Sequence, residues 1–180
     1  MREAASSHHL VATCCLLVAV LPTCGHAAVL PSNITTDMTL SQADSPWEMQ
    51  SHVTVAAGAE LTVEPGVTVI ARGDHRLTIS GSLRALAPPG NRIVFRATDS
   101  HASGAWRGLY FTQGAVGRFR QCTIRSAQDN LLMDGADVHL YTCNVRLASR
   151  DGVMAWGDCY LKAVHCTFQN NGRYGVQVQT

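Results

Sequence analysis

The chain has 180 residues, with 14 Lys and Arg against 13 Asp and Glu, and is 46% hydrophobic, 15% charged and 6% aromatic. That length suits one domain, and so high an apolar fraction excludes a disordered chain. The net charge of +1 gives no electrostatic reason to expect nucleic acid or an anionic membrane as partner.

Residues 1–27 read as a signal peptide. Arg2 precedes an uncharged run over 10–21 that is too short for a bilayer core of about 30 Å. Gly25 and Ala27 then occupy the −3 and −1 positions of a small-residue cleavage site. No later stretch is long and apolar enough to span a membrane. The expectation is a secreted, extracellular chain, or the ectodomain piece of a membrane protein. Cys14, Cys15 and Cys24 leave with the signal, and Cys122, Cys143, Cys159 and Cys166 remain. An oxidising compartment permits disulfides among these four, and spacing alone does not fix their pairing. Asn33 opens Asn33-Ile34-Thr35, an N-glycosylation acceptor in a segment expected to be flexible.

Residues 28–47 read as an N-terminal segment. Within it 31–47 is the candidate cap for the first coil of a downstream repeat, because an open parallel edge invites aggregation. From 48 to 180 the texture changes to very short alternating pairs. Val53/Val55, Leu61/Val63, Val67/Val69, Leu77/Ile79, Leu83/Ala85 and Ile93/Phe95 are separated by Gly- and Pro-bearing turns. Each pair presents two residues to one side of a strand.

Further along, the spacing becomes regular. Cys122, Cys143 and Cys166 are 21 and 23 residues apart, and each is followed two positions later by Ile124, Val145 or Phe168. Each period holds three short strands. A strand of three residues buries little in an ordinary sheet, but it does so when stacked on its equivalent one period later. An antiparallel sandwich needs longer strands and no constant period. The predicted fold is therefore all-β, a right-handed parallel β-helix (solenoid) of about six coils. The chain stops within a strand at Thr180 with no polar cap, so it is expected to be truncated relative to something longer.

The phrases Ser45-Pro46-Trp47, the run 53–69 (VTVAAGAELTVEPGVTV), Gly81-Ser82-Leu83-Arg84-Ala85, Arg92-Ile93-Val94-Phe95 and the run 106–111 (WRGLYF) resemble the opening coils of extracellular β-helix proteins of the pectate-lyase-like superfamily. Within it they are most similar to the bark beetle protein family of animal tricellular junctions. The resemblance covers roughly 45–180. It implies a non-catalytic extracellular scaffold or recognition domain in cell–cell adhesion or junction organisation, with a protein or glycan at the cell surface as partner. Members of that family are large single-pass proteins with scavenger-receptor and lectin-like modules.

Candidate site residues are few. Cys122, Cys143 and Cys166 would stack in successive coils as an interior column of small apolar thiols, with Cys159 in a turn as the odd one. No Cys or His spacing suits zinc, and no cofactor is implied. Asp129 and Asp151 occupy matching positions 22 residues apart. Paired acids on neighbouring coils are what a sugar hydrolase needs, one as proton donor and one as base or nucleophile. They are also what a polysaccharide lyase uses to hold calcium. A secreted carbohydrate-active enzyme, lyase or glycoside hydrolase, is thus the alternative reading. The structural use of these acids is to close turns, with Arg150 and Arg173 beside them as an exposed ladder of ion pairs. Lys162, Arg118 and Arg120 fall on other faces. The tripeptide Arg72-Gly73-Asp74 lies in a predicted turn, and Trp106 is expected to pack beneath another.

Overall fold

The computed structural model describes residues 27–99 and 101–179. The expected signal peptide, apart from Ala27, lies outside them, together with Cys14, Cys15 and Cys24. All regular structure among the described residues is β-strand. The first coil holds β1 (Ala28–Val29), β2 (Asn33–Ile34) and β3 (Met38–Leu40); the second holds β4 (Trp47–Met49), β5 (Val53–Val55) and β6 (Glu60–Val63). The third contains β7 (Thr68–Ala71), β8 (Arg76–Ile79) and β9 (Ser82–Leu86), and the fourth β10 (Ile93–Ala97), β11 (Gly108–Phe111) and β12 (Val116–Arg120). Then come β13 (Cys122–Arg125), β14 (Leu131–Asp134) and β15 (Asp137–Tyr141), followed by β16 (Asn144–Arg146), β17 (Val153–Trp156) and β18 (Tyr160–Val164). The last coil has β19 (Thr167–Gln169) and β20 (Val176–Gln179).

Every third strand pairs with its equivalent, always in parallel. A first sheet of seven strands runs from β1 to β19, a second of seven from β2 to β20, and a third of six from β3 to β18. The chain is a parallel β-solenoid of about seven turns, one more than the sequence suggests. The additional turn is the first: β1, β2 and β3 pair with β4, β5 and β6, so the segment expected to cap the stack also supplies its first rungs. Its strands are so short that Ile34 and the pair Met38/Leu40 carry nearly all of its periodic signal.

Side chains alternate along each strand, and parallel stacking turns that alternation into continuous inward columns. In the second sheet one column is Val53, Leu77, Leu109, Leu131 and Val153, and the next is Val55, Ile79, Phe111, Met133 and Ala155; none is more than 1% exposed. Three of the largest buried side chains gather in the fourth coil, where Phe95, Phe111 and Phe119 meet edge to face at 6.0–6.2 Å between ring centres. Room for them comes from Gly117, which stands between Leu83 and Val138 in an inward column. A Cβ there would lie 2.9 Å from the Phe111 ring.

The path between the third sheet and the next coil's first sheet turns on a single left-handed residue: Gln121, Thr142 and His165, with φ near 53–55°. A second column of left-handed residues, Ser126, Leu147 and Asn170, ends β13, β16 and β19. Such φ values are uncommon outside glycine. Their recurrence in register means that each corner is set by the coil's shape as much as by its residue. At the open end of the stack, Val176 and Val178 are 40% and 65% exposed, whereas Val153 and Ala155 one rung earlier are buried.

Candidate functional site

Each corner residue is followed directly by a cysteine, and the register carries Cys122, Cys143 and Cys166 onto successive rungs of the first sheet. The position suits a small side chain immediately inside a tight turn. Cys122 and Cys143 are buried and Cys166 is partly so; all three are free thiols. Each donates to a carbonyl, Cys122 to Ala85 O at 3.2 Å, Cys143 to Tyr141 O at 3.3 Å and Cys166 to Leu140 O at 3.4 Å. Burial pushes the Cys122 thiol up. Cys159 sits apart, its Sγ donating to Trp156 O at 3.1 Å.

Asp129 and Asp151 lie between the first and second sheets, on consecutive coils. They are 1% and 0% exposed, so the ladder is not exposed as the sequence suggests: only its arginine ends reach solvent. The carboxylates turn inward because each accepts a backbone amide from the next coil. Asp129 Oδ1 accepts from the Asp151 amide at 3.0 Å, and Asp151 Oδ1 from the Tyr174 amide at 3.2 Å. The remaining oxygens are taken by guanidinium groups. Arg150 binds Asp129 Oδ2, Arg173 donates to Asp151 Oδ2 at 2.6 Å, and Arg173 also stands 3.8 Å from Asp129 Oδ1. The bond from Asp129 holds the Arg150 guanidinium above its ordinary value. Each acid is a clamp that ties a coil to the next through one amide and one arginine. The sequence signal for this is Arg150-Asp151 and Arg173-Tyr174, two phrases one coil after an aspartate.

Every carboxylate oxygen of the two acids accepts at least one hydrogen bond from the chain. Two guanidinium groups occupy the space a cation would need, so the pair does not fit calcium. Among the described residues, no group of three or more His, Cys, Asp or Glu is placed to hold a metal. Lys162, Arg118 and Arg120 lie on the outer face of the third sheet.

Beside the clamps, on the outer face of the second sheet, runs a groove of about 460 Å³ lined by Arg76, Tyr110, Leu132, Met154, Trp156 and the two clamp arginines, with Asp129 at its edge. Tyr110 and Trp156 lie nearly parallel with ring centres 6.1 Å apart, and the Arg76 guanidinium covers Tyr110 at 5.1 Å. The Tyr110 hydroxyl donates to Asp134 at 3.3 Å, and burial pushes its pKa up. Such a groove offers apolar surface, ring faces and cations, which are means of binding a ligand.

The remaining sequence candidates are dispersed over the coils. Asn33 is exposed but sits in β2, not in a flexible segment. Arg72 and Asp74 are both engaged across coils, Arg72 with Glu48, and Asp74 with Arg107 at 2.9 Å and Gln128 at 3.1 Å. Trp106 is buried, its Nε1 donating to Arg125 O at 2.9 Å. No helix of the described residues is long and apolar enough to cross a membrane.

No family model matches the chain, and no solved structure does. Over 70 residues the chain is 36% identical to protein bark beetle of Drosophila melanogaster; that stretch is 39% of this chain and 2% of the bark beetle protein. What the chain shares with that protein is thus a partial sequence likeness, set on a parallel β-solenoid.

Proposed function

We propose that this chain is a non-catalytic recognition domain of the extracellular space, a rigid solenoid that presents its outer faces to a protein or glycan at a cell surface. The observation that carries the reading is the state of Asp129 and Asp151. The two residues best spaced for acid–base chemistry are buried, and each is held by an amide and an arginine. An acid that must protonate a leaving group has to be protonated itself and reach it at hydrogen-bond distance, and these two are turned inward and held against cations. What the coils leave accessible is a binding groove.

The resemblance of the opening coils to the bark beetle family of junction proteins, joined by the partial likeness to protein bark beetle, is the ground for proposing a place in cell–cell contact. Fold likeness alone does not choose a function. The test is turnover: the purified chain incubated with pectin, alginate and glycosaminoglycans, with and without calcium, gives no new reducing ends and no unsaturated products. Product formation that Asp129→Asn or Asp151→Asn abolishes would establish the enzyme instead.

A further inference from the structure

The outer face of the first sheet carries a feature that the clamps and the groove do not use. Arg125 pairs in register with Arg146, and Arg96, next after the Phe95–Ile124 pair, continues the same outward column one rung earlier. Their inward neighbours Phe95, Ile124 and Val145 are buried, which fixes the arginines outward. Three guanidinium-bearing side chains therefore follow one another at the rung spacing of about 4.8 Å. Among the described residues, none of the three pairs with an acid, although seven such contacts occur elsewhere. Arg125 Nε and Arg146 Nε are screened from solvent without a hydrogen-bond partner, and so is Asn144 Oδ1 in the adjoining outward column. Burial first, then the charges of Arg146 and Arg96, hold the Arg125 guanidinium below its ordinary value. Arg96 also donates to Ala97 O at 2.9 Å and Thr98 O at 3.0 Å, and two rungs before it the column holds Glu48, which Arg72 engages. From Arg96 to Arg146 the column is a strip of positive charge with no acid paired to it among the described residues.

We propose that the strip formed by Arg96, Arg125 and Arg146 is a binding site for a linear sulfated polysaccharide, laid along the solenoid axis. Charge complementarity selects an anion, and the repeat of about 4.8 Å selects one with charges spread along a line rather than a single ion. In the neighbouring column Thr123 is buried, while Asn144 and Thr167 offer amide and hydroxyl groups that suit sugar hydroxyls. Neither column contains an aromatic side chain between β10 and β16 on which a base would stack, which disfavours single-stranded nucleic acid. The inference takes its class of ligand from the reading of the chain as a recognition domain, but retention and turnover are measured separately. A chain that cleaves polysaccharide would sink that reading and leave the strip standing.

The experiment uses the purified full-length chain on immobilised heparin at 0.15 M NaCl. Binding is expected, weakening steeply as salt rises because bound cations are exchanged. Arg125→Gln/Arg146→Gln should lose roughly tenfold or more in affinity, given the strength of charge-assisted pairs. Arg84→Gln/Arg120→Gln, on the third sheet, should stay within about twofold on the same argument. Heparin should also raise the melting temperature of the parent and not that of the first variant, which keeps the test valid if that variant is less stable. Hyaluronan, which carries carboxylates only, should bind more weakly than heparin. Undiminished binding by the first variant, equal binding of hyaluronan, or tighter binding of single-stranded RNA than of heparin would each overturn the proposal.

Discussion

Removing the Asp129 carboxylate tests whether these acids are clamps. In Asp129→Ala the Asp151 amide, now donating at 3.0 Å to a buried oxygen, loses its acceptor in a region with no solvent access. A buried donor left unsatisfied costs about 1–3 kcal/mol. The ion pair with Arg150 adds little, because that guanidinium is 52% exposed and rehydrates when released; exposed pairs are worth about 0–1 kcal/mol. The expected loss is about 2–4 kcal/mol for Asp129→Ala; Arg150→Gln leaves the buried carboxylate its amide and the Arg173 guanidinium 3.8 Å away, and should cost less, about 1–2 kcal/mol. Asp129→Asn keeps a carbonyl acceptor for the amide and should fall between them. At about 2–4 °C per kcal/mol for a chain of this size, the melting temperature should drop by roughly 4–16 °C for Ala and roughly 2–8 °C for Arg150→Gln. Urea unfolding monitored by far-ultraviolet circular dichroism gives the same order. If Arg150→Gln proves as damaging as Asp129→Ala, the charge pair and not the amide bond ties the coils, and the acids are not amide clamps.

Other consequences are as direct. Gly117→Val should cost about 1–3 kcal/mol by overpacking against Phe111, and Phe111→Leu in the same chain should recover part of it; additive losses would place the strain elsewhere. The hydrogen bond from Arg72 holds the Glu48 carboxyl below its ordinary value near 4.5. A depressed folded-state value stabilises the fold above the unfolded value and is lost as pH falls through the folded one. Thermal stability should therefore decline below about pH 4.5, and Arg72→Gln should flatten that decline. Alkylation of the native chain, mapped by peptide mass spectrometry, should modify Cys159 and Cys166 well before Cys122 and Cys143, which are buried; equal rates would mean that the first sheet opens locally at the fifth and sixth coils.

The architecture is legible in the sequence because a solenoid repeats its evidence. The six upstream pairs named from the sequence, from Val53/Val55 to Ile93/Phe95, all prove inward and buried. The coils differ in length, and yet the inward spacing holds: the register runs from Trp47 to Val69, Phe95, Ile124, Val145 and Phe168. The turns absorb the difference, which is why the upstream period looks loose. The first coil is hidden by strands of two residues. Gly117 is hidden for another reason: a glycine in a strand reads as a weakness until the Phe111 ring that fills its space is seen. The acids are recognisable by position but not by burial, because nothing local to Asp129 announces an amide 22 residues later. Arg96, Arg125 and Arg146 are equally silent, since only the register brings residues 29 and 21 positions apart into one column.

Register makes the surface of this molecule a matter of column chemistry. One charged residue in one coil is an isolated surface charge, whereas the same charge in three coils is a line with a spacing of about 4.8 Å. At that distance each neighbouring pair of like charges repels by close to 1 kcal/mol even at the dielectric constant of water. The same coils show how such a cost is avoided: at the junction of the first and second sheets, Arg150 and Arg173 face Asp129 and Asp151. On the outer face of the first sheet the positions flanking the arginines hold Thr123 and Asn144 instead. Stability by itself favours an acid in that place. A fold that neutralises one arginine column and leaves the next one bare holds the second in readiness for an anion from outside the chain.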